Sequence, residues 1–339
     1  MAAGISQVAA AGVAYSLEEI QEWFDAGFYY PQPIFGEYMD EIPMGDHAGK
    51  ELKVAEQDPV PAPVELSSDS PGRDIRLGHR VGKIKPRTYG LGYQITYEDE
   101  RDSQVDEPAW AVQGVGQRMA YWPEKTFFTL VFDPATATFT GNDDQPLFSA
   151  THDYRVSAEI PGITAATTAT TRSNIHTGIK ATGATAAGSD WYLGLITPQM
   201  RKNFYVLNRQ DVEQGYEDHN ADRWKEWVWT RRFGVGYRYW QNWLAIQNTK
   251  LYTDASEVIS DFYTAMVLIK SQLDPHGERV NIAPPGSQWV VVRPDTAHAT
   301  TLEFIDEAFE PKALASEASN RPALRFNAKI IDVPWLTAA

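Results

Sequence analysis

Glu98, Asp99, Glu100 and Asp102 form the densest group of potentially reactive side chains in the chain. Two carboxylates from such a run could act as the acid and nucleophile of a glycosidase, and several of their oxygens together could hold a hard divalent cation. A solvated acidic corner at the start of a helix, favoured by the helix dipole, explains the same residues with fewer requirements. Gly-Asn-Asp-Asp-Gln at 141–145 reads as turn chemistry, because it lacks the alternating ligands and closing glutamate of a calcium loop. The histidines (His47, His79, His152, His176, His219, His276 and His298) form no HExxH or comparable ligand pair. His152 is expected to be a hydrogen-bonded structural residue. There is no GxSxG elbow and no GxxxxGK[ST] or GxGxxG loop; the short Gly90-Leu-Gly92 and Gly234-Val-Gly236 lie in strand-like text. No catalytic, cofactor-binding or metal-binding residue is therefore predicted.

The segment 224–243 offers a different chemistry. Its Trp and Tyr side chains, interleaved with Arg231, Arg232 and Arg238 and preceded by Arg223, could stack on sugars or single-stranded bases. This is the basis of a carbohydrate-binding or glycan-hydrolysing reading. Strand cores and subunit interfaces are rich in the same residues, and one face of such strands must be buried.

The chain of 339 residues, 43% hydrophobic and 12% aromatic, is long enough to bury a substantial core in about two domains. It has no cysteine, which excludes disulfides, thiolate zinc sites and a thiol nucleophile. The first residues lack a basic n-region, and no apolar run approaches the ~20 residues of a membrane helix, so neither secretion nor membrane insertion is expected. A net charge of −15 argues against a broad nucleic-acid-binding surface. Residues 1–49 carry eight acids, among them Glu18, Glu19 and Glu22, and no Lys or Arg. Residues 73–87 carry Arg73, Arg76, Arg80, Lys83, Lys85 and Arg87 against Asp74 alone.

Ser16 and Glu19 form a capping box that opens a short helix with Leu17, Ile20, Trp23 and Phe24 on one stripe. Residues 28–70, rich in Pro, Gly and polar residues, read as an extended arm whose partners lie elsewhere. Alternation of Tyr89, Leu91, Tyr93, Ile95 and Tyr97 predicts a strand with one buried face. Asp106 and Pro108 then open a helix carrying Val112, Val115, Met119 and Trp122, with Gly114 and Gly116 weakening it and Pro123 predicting a kink near Tyr121. If it runs to Phe132 it spans on the order of 40 Å. Residues 161–188 read as a Thr/Ala/Gly-rich linker. Beyond it the sequence predicts strands in WYLGLI and across 224–246, where Trp227 and Trp229, then Val235, Tyr237 and Tyr239, alternate. A helix from Asp254 closed by a Glu257 capping box, a strand at 289–292, a helix opening at Asp295 and a strand at 326–333 follow.

RTYGLGYQITYEDERD at 87–102, the helix after it and DDQPLFSATHD at 143–153 resemble, in order and content, the major capsid proteins of tailed bacteriophages, in particular the Mu-type head subunits. DWYLGL, RRFGVGYRYWQNWLAI and the C-terminal α/β segment are similar to further parts of that family. The resemblance implies an α+β Hong Kong 97-type fold. It divides the chain into an N-terminal arm (1–60), an extended loop (61–98) and a peripheral domain with a long spine helix (99–160). The linker (161–188), strands shared between the axial and peripheral domains (189–253) and an axial domain (254–339) follow. It also implies a virion shell protein, made in the host cytoplasm, that assembles into pentamers and hexamers around double-stranded DNA. Portal, a separate scaffolding protein and a decoration protein are its expected partners, and an encapsulin-like compartment is the alternative within the fold. Candidate interface residues are Arg73, Arg76, Arg80, Lys83, Lys85 and Arg87 on one side and Glu18, Glu19, Glu22 and Trp23 on the other. The axial-like segment comes last, where the resemblance places it before the WYL strand. The order suggests a circular permutation, with the C-terminus ending near the strand that starts at Asp190.

Overall fold

The computed structural model describes residues 16–29, 34–43, 52–57, 79–98, 106–141, 143–154, 170–178, 190–198, 203–219, 223–248, 251–272, 283, 285–309 and 328–336. In chain order these give α1 (Leu17–Phe28), β1 (Met39–Pro43), β2 (Leu52–Gln57), β3 (His79–Ile84), β4 (Arg87–Thr96) and α2 (Asp106–Phe127). Next come β5 (His152–Tyr154), β6 (Thr170–Arg172), β7 (Ile175–Thr177), β8 (Trp191–Ile196), β9 (Phe204–His219), β10 (Trp224–Tyr237) and β11 (Trp243–Gln247). The rest is α3 (Ala255–Lys270), β12 (Gln288–Pro294), α4 (Ala299–Phe309) and β13 (Ala328–Val333).

The arm does take its partners from far along the chain. The Ser16 hydroxyl accepts from Glu19 N, and Glu19 Oε2 accepts from Ser16 N at 2.9 Å, so the capping box starts α1 as expected. β1 then pairs in parallel with β9, Met39 opposite Phe204, at the edge of a four-stranded sheet ordered β1-β9-β10-β4. The buried Glu124 of α2 holds the segment in place by accepting the backbone N–H groups of Ile34 and Phe35. Burial raises the pKa of that carboxylate, and the two N–H donors counter the shift. β2 and β3 pair as an antiparallel ribbon, Leu52 opposite Ile84.

α2 lies across the four-stranded sheet. Val112, Val115 and Met119 bury against Ile95, Trp227 and Trp229, with Ile20 and Phe24 of α1 completing this core. The helix runs unbroken through Tyr121 and Pro123, which lacks the N–H for a bond to Met119, and Phe128–Phe132 then forms a π turn closed by Asp133 N donating to Phe128 O at 2.8 Å. The extra residue in that turn directs both adjacent pairs, Phe127 with Phe128 and Val131 with Phe132, into the interior. There they surround Phe35, whose ring centroid is 5.2 Å from Phe128 and 5.6 Å from Phe204.

A five-stranded sheet ordered β13-β12-β8-β11-β7 forms the second layer. Every residue of β8 is buried, because both faces are covered. Tyr192 and Ile196, with Val290, Val292, Trp243 and Ile331, face the aromatic core around Phe35. Trp191, Leu193 and Leu195, with Leu244, Trp289 and Val291, face α3 and α4. The N-cap of α3 is Asp254, as predicted, but Glu257 reaches back to Thr253 N at 2.8 Å instead of to the cap residue.

Several expectations are corrected here. β9 was not predicted, because from Asn208 onward it is largely polar and part-exposed and carries no hydrophobic alternation. Within the expected linker, 170–178 is ordered: β6 pairs with β5, and β7 joins the five-stranded sheet beside β11. α4 opens at Ala299, after a turn that contains Asp295. Tyr239 lies beyond the end of β10.

Asp190 precedes β8, is 9% exposed, and accepts the backbone N–H of Asn248 at 2.8 Å. Burial pushes its carboxyl pKa up to about 6, with that hydrogen bond a smaller opposing effect. A raised carboxylate pKa stabilises the fold fully below the unfolded-state value and loses that contribution as pH rises through the folded value. Asp190→Asn, which stays neutral and still accepts from Asn248, should match the wild type near pH 4 and exceed it above pH 6. The expected gap is on the order of 1–3 kcal/mol in urea unfolding; parallel stability curves for the two proteins would refute it.

Candidate assembly surfaces

Glu98 is exposed and lies 3.4 Å from Arg223 Nη1, a contact made from a backbone with φ of +61° at Arg223. Asp99, Glu100 and Asp102 lie outside the described residues. Trp227, Trp229, Phe233, Tyr237, Trp240 and Trp243 are buried, so their faces contact the core and are closed to a sugar or base. Arg231 is also buried and pairs with Glu41 at 2.8 Å, tying β10 to β1 across β9. The carbohydrate reading loses its binding residues.

His152 is fully buried in the structural role expected of it. Nδ1 is 2.6 Å from Asp143 Oδ2, Nε2 lies 3.3 Å from Leu147 O and 3.2 Å from Asn174 Oδ1, and the ring stacks on Trp240 at 3.9 Å. Asn174, which no sequence pattern singled out, donates to Leu147 O and accepts from Ser149 N, so one amide ties β7 to the PLFS turn. Among the described residues one group, Glu217, His219 and Glu226 near the tip of the β9–β10 hairpin, brings three possible ligand atoms within 4.8 Å of one another. Glu217 and Glu226 are direct cross-strand neighbours.

The basic stretch forms a defined surface. Lys83, Lys85 and Arg87 are exposed, whereas Ile84 between them is buried against Gly234 and Gly236 of β10, where any Cβ would come within 3 Å of it. These glycines let the strand pair and the loop approach closely. The three cations, with Leu130, Phe139 and Phe233, line a cavity of about 350 Å³. Arg80 is on β3; Arg73 and Arg76 lie outside the described residues. On α1, Glu18 and Glu22 are exposed, Glu19 is occupied by the capping box, and Trp23 packs beside the α1–α2 core.

The model of the Mu-like prophage major head subunit gpT family matches residues 75–336. The chain belongs to that family. Among solved structures it is similar to the procapsid of bacteriophage JBD30, at 17% identity over 99% of this chain and 100% of that one, with a TM-score of 0.63. It is also similar to the JBD30 capsid, at 13% identity over 91% and 92% of the two chains, TM-score 0.66. A third likeness is to the JBD30 capsid decorated with minor capsid protein trimers, at 12% identity over 91% and 92%, TM-score 0.62. No curated protein matches. At these identities the structural likeness is one of fold, the α+β Hong Kong 97-type capsid fold. The protein is a major head subunit of a tailed bacteriophage, a structural component of the virion capsid and not an enzyme.

The expectation for the head subunit's C-terminus holds in part. β13 is in the same sheet as β8, two strands away. The last described residues turn onto α2 and the π turn after it: Trp335 packs on Tyr121 and Phe128, with ring centroids 5.7 and 6.2 Å apart, and Leu336 joins the aromatic core. That core also holds Tyr192 and Ile196 of β8. The family match takes in the C-terminal segment, within residues 75–336.

Proposed function

We propose that copies of this head subunit close, as pentamers and hexamers, into an icosahedral shell around double-stranded DNA. The observation that supports this best is the likeness over nearly the whole chain to a procapsid subunit, in a member of the head-subunit family. In this reading α1, α2 and the four-stranded sheet form the peripheral domain, the five-stranded sheet with α3 and α4 forms the axial domain, and β2 with β3 forms the extended loop. The net charge of −15 fits a container that confines its genome without gripping it. Assembly in the host cytoplasm, on a separate scaffolding protein and a portal, belongs to the same proposal. So does decoration of the finished shell, on the model of the JBD30 capsid with its minor protein trimers. Expression with the scaffolding protein, followed by electron microscopy, should show closed particles or capsomers; a subunit that stays monomeric at high concentration with its scaffold would overturn the proposal.

The cavity rimmed by Lys83, Lys85 and Arg87 is proposed to meet the acidic arm of a neighbouring subunit. Exposed ion pairs are each worth about 0–1 kcal/mol and are screened over roughly 8–10 Å, so the effect must come from repetition around the shell. Reversing all three cations to Glu should lower particle yield several-fold, with partial rescue by Glu18→Lys and Glu22→Lys. Glu19 is unsuited to the rescue, because its carboxylate caps α1. Unchanged particle yield from the triple variant across a salt series would exclude this contact.

A further inference from the structure

α2 carries two unsatisfied surfaces that complement one another. Trp110 is 81% exposed and makes no ring contact among the described residues. One turn before it on the same helix, Glu107 is exposed and has no ion-pair partner among the described residues. Further along, between α2 and β4, Tyr89, Leu91, Met119, Trp122 and the aliphatic stem of Arg118 line an apolar groove of about 210 Å³. The groove is short of acceptors. Trp122 Nε1 is buried with no hydrogen-bond partner, Arg118 is exposed and has no carboxylate within reach among the described residues, and Lys125 Nζ sits 5.1 Å over the Trp122 ring. An occupant that fits must bring an apolar ring and, one helical turn away, an acid. Trp110 with Glu107 brings both.

We propose that Trp110 of one copy seats in the Tyr89/Leu91/Met119/Trp122 groove of a neighbouring copy, with its Glu107 against that neighbour's Arg118. The inference rests on the self-assembly reading and specifies one of its contacts. A knob on one copy and a hole on the next is a heterologous contact, the kind that closes into rings when the rotation permits. Within one chain the contact is impossible, since Glu107 and Arg118 are separated along a single helix by about 16 Å at 1.5 Å per residue.

The absence of cysteine from the chain makes a clean test available. In the Glu107→Cys/Arg118→Cys variant an internal disulfide is excluded, because bridged Cα atoms must lie within about 7 Å. Oxidised particles should therefore run as a ladder of covalent oligomers on a non-reducing gel, while each single-cysteine variant should yield no ladder. In parallel, Trp110→Ala should fold like the wild type, because the residue is exposed. It should weaken capsomer association by at least about tenfold, as expected for an interface tryptophan. Glu107→Arg and Arg118→Glu should each impair assembly, and together they should restore it. Intact particles with neither ladder nor rescue would assign the groove to another occupant, such as a decoration protein, and overturn the proposal while leaving the shell reading in place. Failure of the wild type to assemble would overturn both.

Discussion

Gly116→Val is expected to destabilise the unassembled subunit by at least about 3 kcal/mol, with a correspondingly lower urea midpoint. A Cβ at Gly116 would lie 2.2 Å from the Phe24 carbonyl oxygen and 2.9 Å from Phe28 N. Both are backbone atoms of α1, so no side chain can swing aside. Gly27 makes the reciprocal approach, its Cβ position falling 2.1 Å from Gln113 O. Relief requires moving α1 as a body, which would pull Phe24 off Trp229, now stacked at 5.0 Å and 4°. Gly114 is the internal control. Among the described residues, nothing outside its own helix backbone lies within 4 Å of its Cβ position, so Gly114→Ala should gain up to about 1 kcal/mol of helix propensity. Midpoint shifts of the same sign and size for the two variants would mean that the close helix crossing does not exist in solution.

His152→Phe keeps a ring over Trp240 but deletes both nitrogens, and is expected to cost about 3 kcal/mol or more. The carboxylate of Asp143, 3% exposed, keeps Gln145 N but loses the partner of its Oδ2, and the oxygens of Leu147 and Asn174 lose a polar neighbour. The penalty arises from the groups left behind, so removing the second partner should relieve part of it. His152→Phe combined with Asp143→Leu should be less damaging than the sum of the two single changes. Additive losses in a double-mutant cycle, measured by urea unfolding, would show that the pair does not interact. Since the PLFS turn and β7 meet at this network, the single variant should also expose the turn to proteolysis before the rest of the subunit.

What was legible in the sequence were the features set by short-range rules. The Ser16–Glu19 box, the Asp254 cap and the alternation of β4 depend on residues within a few positions of one another, and the structure has them where the spacing put them. The pattern around RTYGLGYQITYEDERD and PLFSATH carried the family, because a shared order of such segments is itself local text. Tertiary structure decided whatever depended on contacts across many residues. β9 is a strand because β10, β1 and the core beneath Phe204 pair with it, although half its residues are polar. β7 is a strand because β11 offers an edge to an otherwise featureless Thr/Ala-rich stretch. Gly116, which in sequence counts as a helix weakness, is the residue that lets two helices touch. Glu124 follows a proline inside a helix and gives no sign in the sequence of holding an arm some ninety residues upstream. Aromatic residues near 230 favoured a core or interface role in sequence while leaving a ligand possible, since composition fixes their stacking chemistry but not their exposure; burial against α1 and α2 settled which they serve.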